Sequence, residues 1–209
     1  MSTDYHAIAG QSLERLAALS DGVFAIAMTL LVLDLRVPVS TGIQFERDLW
    51  RALMPLAPHL IPYGLSFMTL GIFWIGQQTQ LSSFAHSNRT LTWIHMGFLL
   101  AVSLLPFSTG LLAEFFTFRS AVVIYWLNLL LLGLMLWWSI RYAWRAGLMK
   151  DTATSEQRLA QERRILSYQV LYAVSMLLCV VNPALSIAGL ILLQISSILS
   201  PRLRLFSRR

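Results

Sequence analysis

Between Arg15 and Val37 runs an apolar stretch long enough to cross a bilayer, and it carries Ser20, Asp21, Thr29, Asp34 and Arg36. An inert lipid anchor would avoid these groups. A charge placed inside hydrocarbon is costly, and where it persists it is paired or functional. The chemistry such residues could support is the passage of a small ion through a narrow apolar space. Oxygens of hydroxyls and carboxylates could contact the ion, and bulky aliphatic side chains beside them would exclude water.

Spacing decides which of these groups share a face. At about 100° per residue, with Ile26 taken as zero, Leu33 lies at about −20°, Leu30 at about +40°, Thr29 at about −60° and Val37 at about +20°. Gly22 and Val23 bracket the same stripe toward the helix start. Asp21 falls at about −140°, on the opposite face. The stripe has two readings. Leu and Ile rows are ordinary in membrane helices and could face lipid or neighbouring helices. The same row could instead form a hydrophobic constriction, where an ion must shed part of its water shell, with the Thr29 hydroxyl beside it. Asp21 also has two readings: an ion or proton ligand, or a structural charge behind the stripe. Arg15 and Ser20 are its nearest candidate partners in sequence.

The elements that must position this helix are apolar too. Of 209 residues, 56% are hydrophobic and 12% charged, about half the charged fraction of a soluble domain, which is about 25%. This is membrane-class composition. Six apolar segments can be drawn, with spans near 16–36, 58–78, 90–112, 120–145, 163–181 and 183–200. Pro62 falls in the first turn of the second, and Pro106 marks the end of the third. Asn182 and Pro183 divide the last two, because proline disfavours helix in the residue before it. The last two are near the minimum length of about 17 residues for a span. Residues 38–57 read as a short loop with helical character, and 147–164 as a charged connector. The expected fold is all-α, a single six-helix transmembrane domain.

Charge placement orients the bundle. With six spans, Arg15, Arg89, Arg141, Arg145, Lys150, Arg158, Arg163, Arg164 and four tail arginines fall on one side, 12 of the 16 basic residues. Arg36, Arg47, Arg51 and Arg119 are the 4 on the other. Basic residues accumulate on the cytoplasmic side, so both termini are expected there, in a multi-pass protein of the cell membrane. Trp74, Trp93, Trp138 and Trp144 fall near the same ends, where indoles favour the interface. The polar start, Met1 to Glu14, has no basic n-region, so no cleaved signal peptide is expected.

Other chemistries find little support. His6, His59, His86 and His95 are scattered, and neither H-E-x-x-H nor G-x-S-x-G occurs, so an enzyme is not expected. Cys179 is the single cysteine, which rules out an intrachain disulfide. No metal or other cofactor is expected. The basic tail from Arg202 to Arg209 reads as topology setting or as a contact to anionic lipid, not as a nucleic-acid surface. No T-V-G-Y-G carbonyl filter is present. A secondary transporter of small cations is the alternative. It would call for discontinuous helices and mid-membrane polar groups, for which Asn182, Pro183 and Glu114 are the candidates.

The pattern Arg15-x-x-x-Leu19-Ser20-Asp21, followed by Gly-Val-Phe-Ala-Ile-Ala-x-Thr29-Leu30-Leu, closely resembles the first helix of the transmembrane protein 175 family, whose signature reads R-x-x-x-F-S-D. That family comprises the endosomal/lysosomal potassium channels and their prokaryotic relatives. Phe73-Trp74 and the run from Leu104 to Leu112 are similar to its second- and third-helix signatures. The resemblance covers roughly residues 15–112. It implies a homotetramer of six-span subunits in the lipid bilayer, with the first helices around one pore that passes K+ and other monovalent cations. It implies a constriction at Ile26, Leu30 and Leu33, potassium preference at Thr29, and a helix-orienting network at Arg15, Ser20 and Asp21. The chain departs from the pattern at three places. Leu19 replaces the phenylalanine, Gln77-Gln78 stand where relatives often have a histidine pair, and His95 stands where asparagine is common.

Overall fold

The computed structural model describes residues 12–37 and 42–206, with side chains through Ser197. Helix α1 runs Leu13–Leu30 and tightens into a 3-10 turn at Leu31–Asp34. A short α2, Glu46–Leu53, leads through a 3-10 turn into α3, Ala57–Ser83. Then follow α4 (Arg89–Glu114), α5 (Arg119–Arg145), α6 (Ser155–Leu177) and α7 (Pro183–Phe206). Among the described residues, five helices are long and apolar enough to cross a membrane, and the apolar part of α7, Pro183–Ser197, is shorter. The protein is an all-α membrane protein. In hydrocarbon the backbone must satisfy its own hydrogen bonds, which helices do within each segment.

α5 is the post of the bundle. Tyr125, Leu129 and Leu132 are wholly buried on it, packed with Leu105 and Val102 of α4 and Tyr172 of α6. Polar groups inside this core are tied together from four helices. Tyr125 O–H is 3.1 Å from Ser66 Oγ and 3.2 Å from Thr69 Oγ1 of α3, Thr109 Oγ1 of α4 donates to Ser66 Oγ at 2.7 Å, and Gln194 of α7 donates to Thr69 Oγ1. A buried hydroxyl without a partner is costly, and here each hydroxyl is the partner of another.

Two sequence expectations need correction. Pro106 does not end its helix, for α4 continues to Glu114. Proline removes one helical donor, the one that would reach Val102 O, and crowds the preceding turn, and Asn128 of α5 bridges backbone groups of that turn. With its amide turned to suit its neighbours, Asn128 donates to Ala101 O at 3.0 Å and accepts from Leu105 N and Ser108 Oγ, each at 3.1 Å. A side-chain amide thus bridges a donor and an acceptor of the helix just before the proline, which is how prolines persist in packed membrane helices. Pro62 likewise lies inside α3 and not in its first turn, because the helix begins earlier, at Ala57.

The charged connector is also shorter than expected, since α6 begins at Ser155. A reciprocal cap starts it: Gln157 N donates to Thr154 Oγ1 at 3.2 Å and Thr154 N donates to Gln157 Oε1 at 3.1 Å. Such a pair satisfies two amides that a helix start leaves open. Gly147, at φ 67°, turns the chain out of α5. The segment after it pairs with the end of α3, through Ala85 N to Leu148 O at 2.8 Å and Lys150 N to Ser83 O at 3.0 Å.

Candidate functional site: the free face of the first helix

The two faces of α1 have different fates. Leu16, Ser20, Phe24, Ala27 and Leu31 recur at intervals of three and four and are buried. They pack on α3 and α4, with Phe24 against Phe98 at 5.9 Å between ring centroids. Ile26 is 61% exposed, Leu30 42% and Leu33 68%. The single chain therefore leaves this aliphatic row largely uncovered. Leu19, at about +20° on the same wheel, is also exposed and extends the row by two turns toward the helix start. Sequence reasoning had treated Leu19 only as a departure from a motif, although the seven-residue step to Ile26 was visible.

Thr29 is exposed beside the row, and its hydroxyl donates to Ile26 O at 2.8 Å. That bond uses the hydroxyl proton and leaves oxygen lone pairs outward, so Thr29 presents an acceptor. At the end of the row Asp34 lies over Gly110 of α4. A Cβ at position 110 would stand 2.9 Å from one carboxylate oxygen and 3.1 Å from the other.

Behind the row, α1 is fastened to α3. Asp21 Oδ1 accepts from Trp74 Nε1 at 2.8 Å and from Gln78 Nε2 at 2.7 Å. Ser20 Oγ accepts from Gln77 Nε2 at 2.6 Å and donates to Leu16 O at 2.8 Å. Trp74, Gln77 and Gln78 are spaced three and four apart, so one face of α3 presents all three donors. The nearest-neighbour expectation for Asp21 is corrected here. Among the described residues the Arg15 side chain makes no ion pair with it. Six residues of helix put Arg15 about 120° around the axis from Asp21, whereas α3 lies against it. Glutamine amides here donate where the signature's relatives often have histidine. The i, i+3, i+4 run of Trp74, Gln77 and Gln78 was the signal that could have found this site.

Among the described residues no three His, Cys, Asp or Glu side chains are grouped to hold a metal. The site is thus an aliphatic helix face with a hydroxyl at its side, locked in rotation by a carboxylate. It can present itself to a confined ion path or to another apolar surface.

These features define a class: polytopic helical membrane proteins that build a site from an N-terminal helix. Residues 15–106 match the model of the family described as endosomal/lysosomal potassium channel TMEM175. A potassium channel of Streptomyces collinus is 35% identical over 133 residues, covering 60% of this chain and 63% of that protein. One of Chamaesiphon minutus is 34% identical over 109 residues, covering 52% and 53%. The matched stretches thus span between 53% and 63% of the length of these curated relatives. The fold is similar over more of the chain. The crystal structure of a lysosomal potassium-selective channel TMEM175 homolog from Chamaesiphon minutus superposes with a TM-score of 0.78 at 26% identity, covering 90% of this chain and 97% of that one. The chain is thus similar to the TMEM175 family over residues 15–106, and similar in fold to a TMEM175 homolog over 90% of its length.

Proposed function

We propose that this chain is one subunit of a potassium-permeable cation channel, and that four copies surround a pore lined by α1. The observation that carries this reading is the split of α1 into a packed face and an aliphatic face left free in the subunit. One helix cannot enclose a path, so the reading needs symmetric copies around an axis. Converging on that axis, Ile26, Leu30 and Leu33 form successive aliphatic rings. Such rings gate by dewetting and weakly favour the ion that loses its water most cheaply. Potassium holds its shell less tightly than sodium, so the rings favour potassium. Thr29 adds an oxygen beside the central ring and sharpens that preference. Ser20 and Asp21 fix the rotation of α1 through α3. Arg15, exposed in the single subunit, serves that network from outside the subunit's own core. No cofactor takes part, and the permeant ion is K+ with other monovalent cations. Both termini lie in the cytoplasm and the six apolar segments make one transmembrane domain in the cell membrane.

The test is flux through the purified protein in liposomes with potassium, sodium and caesium, together with the mass of the assembly. A tetramer whose flux orders potassium above sodium without a coupled ion supports the reading. A monomer, or flux that saturates and requires a second ion, overturns it.

A further inference from the structure

Between α1 and α3 the chain carries one helix that the subunit does not bury. α2 spans eight residues, and none of them is buried. Its own sequence accounts for the helix. Asp48 Oδ2 accepts from Phe45 N at 3.2 Å at the start. Glu46 and Asp48 stand in the first turn and Arg51 in the last, which suits the helix dipole at both ends. With Leu49 taken as zero, Phe45 lies at about −40°, Leu53 at about +40°, Trp50 at about +100° and Met54 at about +140°. Arg47 lies at about +160°, Arg51 at about −160° and Asp48 at about −100°. One side is therefore apolar, interrupted only by Glu46 at the first position, and the two arginines, one turn apart, share the other. The apolar side is open: Phe45 is 71% exposed, Trp50 63% and Met54 73%.

What covers this side follows from its place, its continuity, its width and its charge. α2 passes into α3 through the 3-10 turn Met54–Leu56 with no loop between them, so it lies at the bilayer surface where α3 enters. Pro55 and Pro58 remove the donors that would reach Arg51 O and Met54 O, and helices bend at such points, so α2 is free to leave the axis of α3. Trp50, Met54 and Ile61 follow one another at steps of four and seven, and Ile61 is an exposed residue of α3. The open apolar surface of a span thus runs on into α2. From Phe45 to Met54 that surface covers about 180° of the helix, wider than the seam one neighbouring helix fills. Acyl chains, being fluid, wrap a face of that width. We propose that α2 is a membrane-surface helix, lying at the boundary between headgroups and hydrocarbon, with Phe45, Leu49, Trp50 and Met54 among the acyl chains and Arg47 and Arg51 at the lipid phosphates. Tryptophan favours that depth, and guanidinium matches phosphate oxygens in charge and geometry. The placement does not depend on ions passing along α1.

The experiment places a fluorophore on the full-length chain through Phe45→Cys, Met54→Cys or Arg47→Cys, with the wild-type chain as the blank for the buried Cys179. Each protein is reconstituted in vesicles of phosphatidylcholine and phosphatidylglycerol. Three quenchers are compared: lipid spin-labelled near the headgroup, lipid spin-labelled deep in the chain, and iodide on both sides. At positions 45 and 54 the shallow label is expected to quench at least about twofold more than iodide or the deep label, and at position 47 iodide should exceed both lipid labels, as an amphipathic helix in the boundary requires. Iodide dominating at 45 and 54 overturns the proposal, for α2 then stands in water. The deep label dominating there overturns it too, for α2 is then part of the span. Protection of 45 and 54 from all three quenchers also overturns it, because a second copy of the chain then covers the helix. The wild-type chain gives a check free of substitutions. Lipid carrying a photoreactive group close to its headgroup should crosslink to residues 45–54, and crosslinks to α3 with none in that segment would sink the assignment. None of these outcomes bears on the flux experiment with α1.

Discussion

Trp74 on α3 donates its indole N–H to Asp21 on α1 at 2.8 Å, a bond between residues 53 apart in sequence. With Gln78 on the same oxygen at 2.7 Å, it sets the rotation of α1 about its own axis. Asp21 stands about 140° from Ile26 on the helix, so holding the carboxylate against α3 turns the Ile26 row away from the body of the bundle. Ser20, on the next residue, is held by Gln77 and blocks rotation the other way.

This arrangement predicts coupling. Trp74→Phe and Asp21→Asn should each destabilise the folded assembly by about 1–2 kcal/mol, the net size of a hydrogen bond to a partly exposed charged group. In the double variant the loss should be less than the sum, by about 1 kcal/mol. Thermal unfolding of the detergent-solubilised protein in all four forms reads this out, and strict additivity would show that the bond does nothing.

On the proposed channel reading, replacing Ile26 with Asn should wet the constriction and raise potassium flux several-fold, because a polar side chain removes the dewetting barrier. Single-channel recording or liposome flux decides it. Unchanged conductance would remove Ile26 from the ion path.

Thr29→Ala deletes the hydroxyl beside the row while keeping the helix, since among the described residues its bond is to its own backbone at Ile26. The potassium-to-sodium permeability ratio should fall, with assembly intact. A ratio unaltered in reversal-potential measurements would take Thr29 out of the selectivity argument.

Asn128→Leu should cost more than its small polar area suggests. It leaves Ala101 O and Leu105 N short of their bridge in the core, at about 1–3 kcal/mol for an unsatisfied buried group. Pro106→Ala in the same chain should recover part of the loss, because without the proline ring the turn can close and Leu105 N can bond Ala101 O directly. If the second change gives no recovery in thermal unfolding, the amide and the proline are not compensating for each other.

The membrane class was legible before any coordinates, because composition and length alone limit what can cross a bilayer. The segregation of α1 into an aliphatic row and an opposite face was also legible, since a helix fixes the angle between residues of known spacing. The ends of helices were less so. Pro106 reads as a stop signal by local rules, yet the helix runs through it, where Asn128, 22 residues away on another helix, bridges the turn before it. The start of α6 was missed although Thr154 and Gln157 carry its cap at the standard spacing, because the surrounding charges suggested a loop.

The amino-acid order by itself determined that this is a helical membrane protein, and that Ile26, Leu30 and Leu33 share one side of its first helix, since both follow from local geometry and from the cost of polar backbone in lipid. Only tertiary packing decided that Asp21 answers to Trp74 and Gln78 and not to Arg15, and that Asp34 rests on Gly110. Those relations join residues on different helices, and no spacing along one helix specifies which neighbour will lie against it.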